Sequence, residues 1–253
     1  MVNSCSSGLL DALLPHYCAL CGFRSLRSMA LCMGCENDLK PNRSACYQCG
    51  IPLRVQAPVV AGLQSDNAGD NHRRCGACLS HPPPFDRVVA PWLYDECMAH
   101  LIQRWKFRRE RALTPLLYNL WRSHNLDPID AHLIVPVPLH WARRLRRGFN
   151  QAELLAQRIH ADTSKSKRAA LDRSLLRRNR ATTAQTSINA LERRNNLIDA
   201  FTVRKRCDNL RIALIDDVVT TGATVAAVTN ALKDAGAAEV HVYCLARTPS
   251  PGG

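Results

Sequence analysis

Apolar positions along the chain follow two rhythms, and the change comes near residue 80. Past that point short apolar runs alternate with stretches of helical spacing. Residues 86–94, DRVVAPWLY, read as a strand. Residues 98–107 and 111–124 carry apolar side chains at i, i+3 and i+4 and read as helices. HLIVPVP (132–138) is a short strand stopped by prolines, GFNQAELLAQRIH (148–160) a helix, and LDRSLLRR (171–178) a further strand. NRATTAQTSINALERRNN (179–196) is polar with weak periodicity and suits a mobile segment. RIALIDD (211–217) is apolar at every position before its acids, the pattern of a strand buried on both faces. TTGATVAAVTNALKDAG (220–236) reads as a turn and a helix, with Gly236 at the C-cap. EVHVYCLAR (239–247) is a last strand. Strands alternating with helices predict an α/β fold with a mainly parallel sheet.

Before residue 80 the apolar rhythm is lost. An amphipathic stretch, GLLDALLP (8–15), is followed by few aliphatic residues and many cysteines. Eight of the twelve cysteines form four C-x-x-C pairs: Cys18/Cys21, Cys32/Cys35, Cys46/Cys49 and Cys75/Cys78. A disulfide scaffold has no use for four identical short spacings. A tetrahedral metal site does, because each pair turns two thiolates toward one ion. Four pairs predict two structural zinc sites, and both sequential and interleaved pairing satisfy the spacing. With so little core, metal binding must supply much of this segment's folding free energy. Chelation is therefore expected to unfold residues 16–80 and spare the rest. Cys5, Cys97, Cys207 and Cys244 fall outside the pattern and read as ordinary reduced thiols. A Gly-, Ala- and Asn-rich insertion at 56–71 separates the last two pairs, and HPPPF (81–85) forms a stiff connector.

Charge divides the chain differently. The formal net charge is +13, yet residues 1–100 are balanced and residues 207–253 are slightly acidic. Residues 101–206 hold 23 basic and 8 acidic side chains, so the surplus sits wholly in the middle. It peaks at RWKFRRER (104–111), RRLRR (143–147) and RRNR (177–180). Such a field attracts polyanions, nucleic acid or pyrophosphate-bearing small molecules alike. Trp105, Phe107, Trp121 and Trp141 lie among these basic residues and suit either core packing or base stacking. No run approaches the roughly 20 apolar residues a membrane span needs. The first residues lack a basic, secretory layout, so a cytoplasmic location is expected.

One stretch poses a chemical puzzle. IALIDDVVTTGATV (212–225) ends an apolar strand with Asp216 and Asp217, then turns through Val218, Val219, Thr220, Thr221, Gly222, Ala223 and Thr224 into a helix. The carboxyl end of a parallel strand is where open α/β sheets bind ligands. The free N–H groups at the helix start, the threonine hydroxyls and the close approach allowed at Gly222 favour a phosphate. Two acids beside a phosphate turn make sense for a sugar phosphate. The 5′-phosphate sits in the turn while the 2′ and 3′ hydroxyls donate to Asp216 and Asp217. The same negative charge stabilises positive charge developing at the anomeric carbon when its bond breaks.

The thirteen residues 212–224 are similar to the phosphoribosyl diphosphate (PRPP) binding signature of type I phosphoribosyltransferases. Together with the four cysteine pairs, Lys106–Phe107 and VPVPLH…RRGFNQAELLA (135–156), they make the chain resemble the ComF family of competence and DNA-utilisation proteins. The resemblance implies a double zinc-ribbon module at 1–80 and a phosphoribosyltransferase-like α/β domain at 86–253. It implies PRPP as ligand, magnesium to neutralise the diphosphate, and a diphosphate loop where Arg147, Asn150 and Gln151 stand. The polar segment falls where type I enzymes carry a mobile hood, which puts Arg178, Arg180 and Arg193 near the diphosphate. Asn150 also suits a helix cap, and His140 a surface or loop position. Single-stranded DNA and DNA-uptake proteins are the implied partners. Two rivals remain: a nucleotide-salvage phosphoribosyltransferase acting on a free base, and a single-stranded nucleic-acid binding protein whose PRPP site is vestigial.

Overall fold

The computed structural model describes residues 16–53, 73–124, 128–163, 169–179 and 200–249. The stretch at 8–15, the insertion at 56–71 and all of 179–196 except Asn179 lie outside them.

The main sheet has five parallel strands in the order β1 (Arg87–Val89), β9 (Glu239–Tyr243), β7 (Arg211–Ile215), β3 (Leu133–Pro136) and β4 (Ala170–Leu171). A second parallel sheet runs β2 (Trp92–Leu93), β10 (Ala246–Arg247) and β8 (Val218–Val219). The two are successive parts of one surface. Tyr243 pairs with Val89 and Ile215. Three residues on, Ala246 pairs with Trp92 and Val218. Three neighbouring strands thus break together, at Ala90–Pro91, Asp216–Asp217 and Cys244–Leu245, and resume in register. The expected strands at 86–94 and 239–247 are therefore each two, with a shared interruption between them. Crossing bonds close the gap: Cys244 donates to Val89 (3.0 Å), Asp216 to Tyr243 (2.9 Å) and Leu245 to Asp217 (3.0 Å).

Strand β7 is buried on both faces, as its composition requires. Ile212 and Leu214 face a cluster with Val225, Val228 and Leu232 of helix α7 (Ala223–Asp234). Ala213 and Ile215 face the opposite cluster, shared with α3 (Glu96–Phe107), α4 (Leu113–Arg122) and α6 (Gln151–Thr163). Asp95 starts α3 by accepting from the Met98 amide at 2.9 Å. Met98, Leu101, Ile102 and Trp105 then form the buried stripe. Trp105 and Trp121 belong to this core, which removes them as stacking surfaces. Helix α7 ends as expected beside Gly236, whose φ of 101° and closeness to Asp208 exclude a side chain.

Two expectations change. The helix foreseen over 148–160 starts later, and a short helix α5 (Trp141–Arg147) precedes it. His140 caps α5, its Nδ1 accepting from Ala142 at 3.3 Å, and is buried rather than a surface residue. The strand foreseen over 171–178 splits into β4 and β5 (Leu176–Arg178), because Asp172 accepts from the Ser174 and Leu175 amides and turns the chain. Strand β5 pairs antiparallel with β6 (Phe201–Val203).

Among its described residues the cysteine-rich segment contributes two short helices, α1 (Met33–Asn37) and α2 (Gly76–Ser80). Even so, it packs firmly on the α/β part. Leu31 and Leu39 join the α3–α4 cluster, and Asn42 donates to the Ala90 carbonyl at 3.1 Å.

Candidate functional site

The cysteines settle into two groups, Cys18/Cys21/Cys32/Cys35 and Cys46/Cys49/Cys75/Cys78, so the pairing is sequential. Within each group all four Sγ atoms lie within 4.8 Å of one another. A tetrahedral zinc with bonds of about 2.3 Å needs sulfurs roughly 3.8 Å apart. Cys21 and Cys32 are 3.8 Å apart, and Cys49 and Cys75 3.7 Å. The residues fit zinc. Amides of Leu20, Cys35 and Cys75 point at sulfurs of Cys18, Cys32 and Cys46, a second shell that steadies thiolates. Four thiolates leave no open coordination position, so these groups suit a structural role.

The acid pair sits in the sheet interruption, between β7 and β8. That position is forced: the backbone of both residues bonds across to Tyr243 and Leu245, and the side chains are left at the strand ends. Asp217 is buried, and its Oδ1 accepts from Lys106 Nζ at 2.6 Å. Lys106 comes from the last turn of α3. Asp216 Oδ1 accepts from the Asp217 amide at 2.9 Å. Burial and the neighbouring Asp217 charge push the Asp216 carboxyl up to about 7, against the pull of that amide, Lys106 and Arg178. The cations pay attention to the same pair. Burial lowers the Arg147 guanidinium, while Asp217 and Asp216 act in the opposite direction. Burial and Arg143 bring Arg178 down to about 10, with Asp216 again opposing.

Next to the acids, β8 turns through Thr220 and Thr221 into α7. Gly222 caps the helix with a φ of 82°, a left-handed conformation that favours glycine. No side chain caps α7. Thr221 Oγ1 accepts from the Ala223 amide at 3.3 Å, and the remaining first-turn amides are left to a ligand or solvent. The turn itself is held from behind by Arg247, whose guanidinium donates to the Val219 and Thr220 carbonyls.

The expected diphosphate residues divide by role. Asn150 is buried and committed to the backbone: Nδ2 donates to Val137 at 3.0 Å and Oδ1 accepts from Ala152 at 3.1 Å. Gln151 is fully buried, with Oε1 accepting from Arg147 Nη1 at 3.3 Å. Arg147 Nε and Gln151 Nε2 have no hydrogen-bond partner among the described residues. Arg147 also lies over the Phe107 ring, 5.1 Å from its centroid. Lys106 and Arg247 are the residues whose roles the sequence did not reveal. Lys106 was noted only within a motif, and nothing local marks Arg247. Arg180 and Arg193 lie outside the described residues.

The chain matches the double zinc ribbon domain over residues 9–79 and the phosphoribosyl transferase domain over residues 145–252. It is 34% identical to DNA utilization protein YhgH of Escherichia coli K12, over 93% of this chain and 98% of that one. It is 34% identical to competence protein F of Haemophilus influenzae, over 86% and 90%. To competence protein ComFC of Bacillus subtilis it is 26% identical, over 83% and 87%.

Two outcomes follow from this geometry. Elemental analysis is expected to find two zinc ions per chain. Because the first ribbon shares the α3–α4 cluster, the expectation that chelation spares the rest of the chain changes: it is now expected to lower the melting temperature of the whole chain in one transition. A loss of structure confined to residues 16–80, read by limited proteolysis, would contradict that coupling. The second outcome concerns pH. A carboxyl raised from 3.8 to about 7 stabilises the fold fully below its unfolded value, and the contribution is lost as pH rises through about 7. The parent should therefore lose stability relative to Asp216→Asn between about pH 4 and pH 7 in urea titrations. A parent–variant difference that does not move with pH would show that Asp216 is not so perturbed.

Proposed function

The chain belongs to the family of competence protein F and DNA utilization protein YhgH, a double zinc ribbon joined to a phosphoribosyl transferase domain, and from that premise we propose that it binds PRPP with magnesium and acts in the use of external DNA. The observation that carries the reading is the acid pair set one short strand before the phosphate-type turn at the start of α7. In this reading the 5′-phosphate takes the turn from Thr220 to Thr224, held by backbone amides and the hydroxyls of Thr221 and Thr224. The ribose hydroxyls donate to Asp216 and Asp217. Arg147 reaches the diphosphate, with Gln151 orienting it and Asn150 fixing the backbone between α5 and α6. Magnesium, carried by the ligand, supplies further positive charge on the diphosphate oxygens. Should the bond to diphosphate break, the cationic anomeric carbon faces two carboxylates, an arrangement that suits pentosyl transfer. Lys106 donates to Asp217 and holds its carboxylate in place before the sugar arrives.

The double variant Asp216→Asn/Asp217→Asn is expected to weaken PRPP binding in calorimetry by roughly ten- to a hundredfold. Hydrogen bonds to charged acceptors are worth about 1.5–3 kcal/mol against about 1 for neutral ones, and each factor of ten is about 1.4 kcal/mol. Thr221→Val should weaken binding less, because backbone amides still hold the phosphate. Unchanged affinity in the double variant would mean the sugar is held elsewhere. A screen of free bases for diphosphate release then tests for turnover, and separates this reading from nucleotide salvage.

A second observation favours single-stranded DNA as a partner. Of Trp105, Phe107, Trp121 and Trp141, the last is 70% exposed and Phe107 58% exposed. They stand at the start of α5 and the end of α3, which are tied together where Arg109 donates to the Arg146 carbonyl. Exposed Arg108 and Arg109 follow Phe107 in the chain, and exposed Arg144 and Arg146 follow Trp141. Rings among guanidinium groups suit stacked bases and phosphates. Trp141→Ala should weaken oligonucleotide binding by about tenfold without altering its salt dependence. Arg144→Glu/Arg146→Glu should flatten the salt slope instead, by removing phosphate contacts that release counterions. Binding that ignores salt would assign these residues to solubility alone.

A further inference from the structure

Arg247 is 95% inaccessible, its relative exposure being 5%, and every acceptor it uses is a backbone carbonyl. Nη1 donates to Val219 at 3.1 Å, to Thr248 at 2.8 Å and to Thr220. Nε donates to the carbonyl of Cys49 at 2.9 Å, in the second cysteine group. A guanidinium presents donors in a fixed planar fork, so these bonds set the acceptors' relative positions. Burying such a charge against neutral carbonyls alone is costly unless each donor finds its acceptor. The arrangement therefore holds only while Cys49 stays in place.

Three further contacts link the residues flanking Cys49 to the α/β part. The Gly50 carbonyl accepts from Asn42 at 2.8 Å, and the same amide group bonds Ala90. Gln48 donates to Pro83 and Phe85 at 3.3 and 3.4 Å. Phe85 in turn lies beside Gly222, 3.8 Å from where its Cβ would be. At the other end, the Thr248 amide donates to the Val219 carbonyl at 3.0 Å, so the fork and the chain after β10 grip the same peptide. Val219 and Thr220 immediately precede Thr221 and Gly222.

We propose that Arg247 is a positioning residue that makes the order of the phosphate turn depend on the metal-filled second ribbon. The first ribbon reaches the α/β part through α3 and α4, a different route. With metal bound, Cys46, Cys49, Cys75 and Cys78 are locked and the Cys49 carbonyl anchors the fork. Without it, the carbonyl is free to move, and the fork releases Val219 and Thr220. The ribbon then serves the ligand site without any group of its own touching ligand. This rests on the PRPP reading for its consequence, but the coupling itself needs no ligand to be measured.

The test uses the full chain with three variants: Arg247→Met, Arg247→Lys and Cys75→Ser. Hydrogen exchange of the amides at 218–224 is followed without ligand, together with zinc content and PRPP affinity. Arg247→Met should keep two zinc ions and speed exchange in the turn by tenfold or more, with a comparable loss of PRPP affinity. Arg247→Lys, with one compact charge in place of a fork, should recover part of both. Cys75→Ser should lose one zinc and speed exchange in the turn although Arg247 is intact. Turn amides protected as in the parent, in a folded Arg247→Met or in Cys75→Ser that has lost its zinc, would overturn the proposal. If Arg247→Met does not fold, Arg247→Lys and Cys75→Ser decide by the same reading. If the parent itself does not bind PRPP, the PRPP reading fails, and the exchange data still decide the coupling.

Discussion

Two adjacent carboxylates at the end of a doubly buried strand are the constraint around which this protein is arranged. Like charges so close, partly removed from water, repel strongly unless cations stand nearby. The fold brings them from three separate elements. Lys106 arrives from the end of α3, Arg147 from the end of α5 and Arg178 from β5. Each lies far from the acids in sequence, and each requires an element that stops at the right residue. Helix α3 places Trp105 in the core and Lys106, the next residue, on the site. Burial and the incompletely offset Asp217 charge together hold the Asp216 carboxyl up to about 7. A ligand that brings hydroxyl donors completes what the cations begin.

The sheet interruption explains how the acids escape the core at all. Asp216 and Asp217 continue an apolar run, and a regular strand would send one of them into each hydrophobic cluster. Because β1, β7 and β9 break at the same level, the two residues sit between sheets, with their backbone bonds made across to Tyr243 and Leu245. The backbone is satisfied and the side chains are freed. The cost is a short second sheet of two-residue strands, which has little strength of its own. Arg247, from β10 itself, ties that weak layer to the second ribbon through the Cys49 carbonyl.

This logic also marks what was legible in the sequence. The cysteine groups were readable because ligand spacing is local, but their pairing was not, since every pair has the same spacing. The acid pair and its turn were readable because residue type and order carry the chemistry. The interruption was not, because it is a property of three strands side by side and each run looks continuous alone. Helix α5 was hidden by its composition: WARRLRR has two apolar positions that could form a stripe, and both Trp141 and Leu145 face solvent. Lys106 and Arg247 form their bonds across 111 and 198 residues, distances at which sequence pattern says nothing. The aromatics had to be sorted by burial, which only packing decides.

The surplus of positive charge and the acid pair can now be seen as one device. A cationic surface alone attracts phosphates of every kind without choosing among them. Negative charge at its centre repels a bare phosphate from the acid end of the site. It leaves room there for a group that donates hydrogen bonds, which a sugar with free neighbouring hydroxyls does. A nucleic acid strand lacks that pair of free hydroxyls within the chain, so it is better served by the exposed rings and guanidinium groups of α3 and α5. In the reading proposed above, the same basic region offers two addresses, separated by whether the ligand can satisfy Asp216 and Asp217. Their spatial closeness means that charge brought to one alters the field at the other, and salt weakens attraction to the exposed face more than to the half-buried site.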